Sequence, residues 1–201
     1  ASMPIFGATV IKKLIPYVHQ AGHLKVIKTN MPPSGTKISP DPTTEHIYRN
    51  IKTCLLHGVT PTVIINHSDQ ELPYAGKPKL VLAHKMYGFP YLDASGDYGI
   101  SNRDNYVIMD RTTDELERLR DFLATKSALY IFETTRYRMK YLERYAFEFI
   151  PDITKLPDFP DIITDESIAK YFKFDEKDIE NINGLHRRQY VFIPSLSIPQ
   201  N

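Results

Sequence analysis

Between Gly76 and Ser101 the chain reads GKPKLVLAHKMYGFPYLDASGDYGIS, and this stretch limits the possible folds more than any other. Leu80, Val81, Leu82 and Ala83 make a short unbroken apolar run, the pattern of a buried strand. The run then breaks into His84, Lys85, Met86, Tyr87, Gly88, Phe89, Pro90 and Tyr91, and two further glycines follow at Gly96 and Gly99. A core strand therefore sends basic and aromatic side chains into a set of tight turns. The same pattern fits a hairpin whose aromatics cover the edge of the core while its charges face water.

The neighbouring segments surround this strand with both kinds of secondary structure. Phe6 to Tyr17 is apolar up to Pro16 and reads as a short strand or helix, and Leu24 to Asn30 alternates as a strand. Met31 to Pro42 is a loop. Asp41-Pro42 reads as an N-cap and first-turn proline, opening a helix through TTEHIYRNIKTCLLHG. In that helix Ile47, Ile51, Cys54 and Leu55 share a face and Gly58 ends it. Strands are expected at Thr62–Asn66, Lys79–Ala83 and Asn105–Asp110. Thr112 and Glu115 then form a capping box for a helix that turns Leu116, Leu119 and Leu123 inward. A second helix is expected from Ser127 to about Phe149. After a proline-rich linker come short helices at Asp165–Phe172 and Asp175–Asn183, closed by Gly184, and a last strand, QYVFI.

The expected class is α+β: a central, mostly antiparallel or mixed sheet with flanking helices and a short C-terminal helical segment. Residues 1–42 read as an N-terminal segment of the same domain, 43–150 as its core, and 151–201 as a linker, two short helices and a tail.

Composition removes several functional classes. A net charge of +1 gives no global basic field, so any nucleic-acid contact must be a local patch. One cysteine, Cys54, excludes a disulfide framework or a multi-cysteine zinc site, and its place among Ile51 and Leu55 marks it as a small core residue. No apolar run approaches the ~20 residues of a membrane span, and no signal peptide opens the chain, where Ala1-Ser2 before Met3 resembles a cloning scar. A cytoplasmic, reducing location is expected. Phosphate-loop, nucleophile-elbow and His-Glu-x-x-His motifs are missing. His19 and His23 are four apart, but Gly22 between them argues against a metal-binding helical face. Asn30-Met31-Pro32-Pro33 only approaches the Asn-Pro-Pro-aromatic tetrapeptide of amino-methyltransferases, because Met31 intervenes and Ser34 follows. Asp161, Asp175, Glu176 and Lys177 spell an array like that of a Mg-dependent nuclease, although Asp161 and Asp175 sit where helix N-caps belong. No catalysis is expected of this chain alone.

The order Lys77-Pro78-Lys79-Leu80, the turn Tyr87 to Asp93, Gly96-Asp97-Tyr98-Gly99-Ile100 and Tyr106-Val107-Ile108 resembles the C-terminal target-recognition domains of type II and type IIG adenine-N6 DNA methyltransferases. Leu116, Leu119, Leu123 and Thr125-Lys126 are similar to a helix of that family, and the segment from Phe147 to Ile182 resembles its exit. The resemblance spans roughly Thr43 to Asn183, without the family's methyltransferase and nuclease parts. It implies sequence-specific binding of double-stranded DNA beside a catalytic methyltransferase or nuclease domain. That partner domain would carry S-adenosylmethionine; no cofactor or metal is implied in this chain. Base or groove contacts would fall to Lys85, Tyr87, Phe89, Tyr91, Asn102, Arg103 and Asn105, with Gly88, Gly96 and Gly99 letting the backbone approach the duplex.

Phosphate contacts would fall to Lys77, Lys79, Arg136, Arg138, Lys140 and Arg144. In a helix, Arg136, Lys140 and Arg144 form one stripe beside Tyr137, Tyr141 and Tyr145. A solvated basic face accounts for the same pattern. A protein-interaction domain of the same fold, or the nuclease, stands as the alternative function.

Overall fold

A computed structural model describes residues 8–55, 62–84, 90–135 and 144–184. The class is α+β, with the strands dealt into two four-stranded sheets. The first sheet has the order β1 (Ile27–Lys28), β8 (Asn105–Met109), β5 (Lys79–Ala83), β6 (Tyr91–Asp93), and is antiparallel throughout. The second has the order β2 (Ile38–Ser39), β4 (Thr62–Ser68), β3 (Tyr48–Leu55), β7 (Gly99–Ile100), with β3 and β7 parallel. The helices are α1 (Ala8–Ala21), α2 (Thr113–Leu123), α3 (Lys126–Thr134), α4 (Asp165–Phe172) and α5 (Glu176–Gly184).

Strand β5 explains how these parts stack. Successive side chains of a strand point to opposite faces. Leu80 and Leu82 join the helical core with Tyr106, Ile108, Leu119 and Phe122. Val81 and Ala83 point the other way and join Ile51, Cys54, Val63 and Ile100 of the second sheet. The first sheet is thus the middle of three layers, which is why β5 reads as an uninterrupted apolar run and is buried along its whole length. Among the helices, the Phe122, Phe159 and Phe172 rings meet edge-on or tilted, 5.9 to 6.5 Å apart.

Local signals placed several elements as expected. The Thr112 hydroxyl accepts the Glu115 N–H and the Glu115 carboxylate accepts the Thr112 N–H, both at 3.1 Å, and Leu116, Leu119 and Leu123 are buried. Helix α4 has the expected bounds. Asp175 caps α5 through its bond from the Asp178 N–H at 2.9 Å.

Three segments differ. The helix expected from Asp41 is strand β3. A bulge between Ile51 and Thr53 puts Ile51 and Cys54, three residues apart, on the same buried side, which imitates a helical period. Ile47, expected on the buried face, is 61% exposed. At the N-terminus the apolar stretch is helix α1, and it runs through Pro16 to Ala21. The proline removes the N–H that Lys12 C=O would accept, and both residues lie on the exposed face of the helix, where the lost bond costs least. The helix expected through Phe149 stops at Thr134, with Thr135 as C-cap. The hydroxyls of Thr134 and Thr135 turn back onto Ile131 O at 3.0 Å each, and the Tyr145 hydroxyl takes the Thr135 carbonyl. Arg144–Phe149 then forms a 3-10 helix. The expected QYVFI strand lies outside the described residues.

Candidate nucleic-acid interface

The loop between β7 and β8 is anchored at several points to the neighbouring strands of the first sheet. Thr29 Oγ1 donates to Asn102 O at 2.7 Å, and the Lys28 ammonium bonds Arg103 O. His84 N–H donates to Asp104 O at 2.8 Å, and Thr29 N–H donates to Asn105 O at 3.0 Å. The Asp104 N–H closes the turn on Asn102 Oδ1 at 3.2 Å. Asn105 is buried, its amide nitrogen reaching Lys52 O of β3 at 2.9 Å. Arg103 is exposed, and Asn102 is half-buried beside it.

A second basic feature continues from this turn. The Lys28 ammonium stands 5.8 Å from the centre of the Tyr106 ring, which also meets His84 (5.8 Å) and Phe147 (5.2 Å) edge-on. Phe147 lies at the base of a groove of about 570 Å³ lined by His23, Leu24, Lys25, Val26, Arg144, Tyr145 and Glu148. Lys25 and Arg144 are exposed cations on its rim, and Glu148 is the acid among its lining residues. Lys28, Lys52 and Arg103 therefore lie at the Asn105 end of the first sheet, while Lys25 and Arg144 line the groove beside the segment that leads into β1, with Asp104 and Glu148 as acids beside them.

The acidic part of the chain packs along helix α1. Pro157 to Gly184 holds eight acids and three lysines. The first turns of α1 carry Thr9 and Lys13, which bind Asp178 of α5, and its C-terminal end leads into His23 and Leu24 of the groove. From Lys13 to Ala21 the helix rises about 12 Å, and Tyr17 between them meets Tyr171 of α4.

The expected contact residues divide sharply. Arg103 and Asn102 belong to the basic end, and Arg144 lines the groove. Lys85, Tyr87, Phe89, Arg136, Arg138 and Lys140 lie outside the described residues. Lys77 is exposed but precedes the start of β5, at the other end of that strand from His84. Lys79 is not a phosphate contact. It is fully buried, and its ammonium bonds Asp93 Oδ2 (2.7 Å), Tyr74 O (3.1 Å), Lys77 O (3.3 Å) and Tyr98 O. Burial pulls its pKa below the ordinary lysine value, and Asp93 opposes that shift. Asn105 is likewise buried, its amide nitrogen bonded to Lys52 O, so it presents no edge to a base. Tyr91 packs between the two sheets, where burial pushes its phenol above the usual range.

Gly96 and Gly99 serve the protein's own backbone. Gly96 has φ +69°, and a Cβ there would sit 2.5 Å from Lys77 N; one on Gly99 would sit 2.6 Å from Asn50 Oδ1. Neither glycine is therefore needed for approach to a duplex.

The remaining chemical candidates are occupied or inert. Cys54 is buried, and burial pushes its thiol up to about 12. Asp175 caps α5 and holds Lys13 at 2.9 Å, Lys177 lies 3.8 Å from Glu180, and Asp161 is fully exposed, 3.9 Å from Arg118. Among the described residues no group of three His, Cys, Asp or Glu side chains is placed to hold a metal. Among them, too, no helix is long and apolar enough to cross a membrane.

Lys25, Lys28 and Lys52 were missed as candidates because two lysines in a strand-like segment and one in an expected helix form no cluster along the chain. Lysines three apart in a two-residue edge strand and its approach were the available signal. The molecule is an α+β domain of helices over two stacked sheets, basic at one end and acidic at its C-terminal helices. No family model, curated protein or solved structure matches the chain.

Proposed function

We propose that this chain is a double-stranded DNA-binding module that recognises a target sequence on behalf of a catalytic methyltransferase or nuclease domain. The observation that carries the reading is the cluster of Lys28, Lys52 and Arg103 at one end of the first sheet, next to a groove lined by Lys25 and Arg144, in a protein with a net charge of only +1. Such local asymmetry steers a polyanion to one face. The residues that flank 85–89 and 136–143, namely His84, Thr135 and Arg144, are tied to this same end through the Tyr106–Phe147 contact and the bond from Tyr145 to Thr135. The resemblance to target-recognition domains supports the same role. S-adenosylmethionine would belong to the partner domain.

The test is binding to a pool of random duplex DNA at two salt concentrations. The variants Lys25→Ala/Arg144→Ala and Arg136→Ala/Lys140→Ala are measured alongside. Binding that falls steeply with salt, weakens in both variants and enriches one short sequence supports the proposal, since each lost phosphate contact lowers the salt slope by about 0.9. No binding at low salt refutes it.

A further inference from the structure

The turn Asn102–Asn105 is held more tightly than a solvated loop requires. All four of its carbonyls accept hydrogen bonds: Asn102 O from Thr29 Oγ1, Arg103 O from the Lys28 ammonium, Asp104 O from His84 N–H and Asn105 O from Thr29 N–H. The donors come from β1, from the residue after it and from the end of β5, so two strands of the first sheet fix the turn from both sides. One long side chain leaves this frame exposed, that of Arg103.

Resting on the DNA-binding reading above, we infer that Arg103 is a specificity-determining residue that reads a guanine in the major groove, with Thr29 and Lys28 as its positioning residues. A phosphate contact needs charge but little orientation, and a lysine on a free loop supplies it. Guanine O6 and N7 instead present two acceptors at fixed spacing, which a guanidinium matches in a bidentate fork. That match rewards a backbone whose position is already set, because less freedom is lost on binding. Asp104, half-buried in the same turn, weighs against a phosphate there. Lys25, Lys52 and Arg144 lie outside this braced turn and are the phosphate contacts around it. The Lys28 ammonium is directed to the Arg103 carbonyl, so this lysine acts on the duplex through Arg103.

The experiment enriches target sequences from a random duplex pool with the wild-type chain, Arg103→Ala, Arg103→Lys and Thr29→Val. Salt slopes are measured for each. The wild-type site should contain one guanine whose preference falls on the order of ten- to a hundred-fold in Arg103→Ala. Arg103→Lys should lose most of that preference with an unchanged salt slope. Thr29→Val, which keeps Arg103 but removes the hydroxyl bonds to Asn102 O and Asn105 O, should lose preference at the same base pair and nowhere else. A purely structural role for Thr29 would weaken every position alike. If Arg103→Ala weakens all sequences equally and lowers the slope by about 0.9, Arg103 is a phosphate contact and the inference falls while DNA binding stands. If the wild-type chain binds no duplex at low salt, both readings fall.

Discussion

Removing either partner of the Lys79–Asp93 pair should destabilise the protein severely, and Asp93→Ala should be the worse of the two. Both side chains are buried, with 0% and 2% of their surfaces exposed. Breaking such a pair leaves an uncompensated charge in the interior and typically costs about 3–5 kcal/mol. Lys79→Met leaves Asp93 with the N–H groups of Asp97 (2.9 Å) and Tyr98 (3.0 Å), so its carboxylate stays partly satisfied. Asp93→Ala removes the carboxylate bonded to the ammonium and also orphans those two amides, each worth about 1 kcal/mol or more where water cannot replace the bond. We expect about 3 kcal/mol for Lys79→Met and about 5 for Asp93→Ala, against a typical total of ~5–15 for a domain. The double variant should lose at least about 2 kcal/mol less than the sum of the singles, since the pair is coupled. Urea unfolding midpoints at constant slope measure all three. Two results would refute the reasoning: single losses under about 1 kcal/mol, as for a solvated pair, or strict additivity. A stable Lys79→Met that binds DNA more weakly would restore Lys79 as a phosphate contact.

Two further outcomes follow from local geometry. Gly96→Ala should cost about 3 kcal/mol or more, because φ +69° strains a residue with a Cβ and that atom would lie 2.5 Å from Lys77 N. Gly184→Ala, with open space around it, should change the midpoint by less than ~1 kcal/mol; equal effects at the two sites would overturn the account. Acid should unfold the protein partly through Asp152 and Glu115. Burial pushes the Asp152 carboxyl up, but hydrogen bonds from Arg111 and Thr154 outweigh it and hold the group below its ordinary value; the Thr112 N–H does the same for Glu115. A depressed folded pKa gives stability that is present above the unfolded value of about 4 and is lost as pH falls through the folded one. Melting temperatures should therefore hold from pH 7 to about 5 and drop below about 4. Arg111→Met should lower them at pH 7 and flatten the acid limb, and an unchanged limb would exclude the pair as its source.

Elements set by neighbouring residues were legible in the sequence, and those set by distant partners were not. The Thr112–Glu115 box works over three residues, and the bounds of β5 and α4 follow from a short apolar run and from adjacent caps. Strand β3 was misread because its bulge at Lys52 replaces alternation with a spacing of three, and only pairing with β4 reveals that. Lys79 looked like a surface cation because its counterion is fourteen residues away, brought opposite by the β5–β6 register that aligns Lys79 with Asp93. The basic end is less local still: Lys28 meets Arg103 across 75 residues and Thr29 meets Asn102 across 73. No window along the chain contains that surface.

These distances also explain which letters of the Gly76–Ser101 stretch carry which task. Lys79, Asp93, Gly96 and Gly99 lock the start of β5 to the turn after β6: Lys79 bonds Asp93 and the carbonyls of Tyr74, Lys77 and Tyr98, and the two glycines admit backbone and Asn50 at contacts no side chain allows. They make a bracket, all of it inside the protein. His84 lies at the other end of β5, where its N–H holds Asp104 O and with it the turn that displays Arg103. The letters that create the family resemblance are therefore largely those that hold the hairpin rigid. Contact with DNA, under the function proposed above, falls to Arg103 and to the lysines and arginines that other elements bring near it. Substitutions in the bracket should act through stability, and substitutions at the basic end through binding.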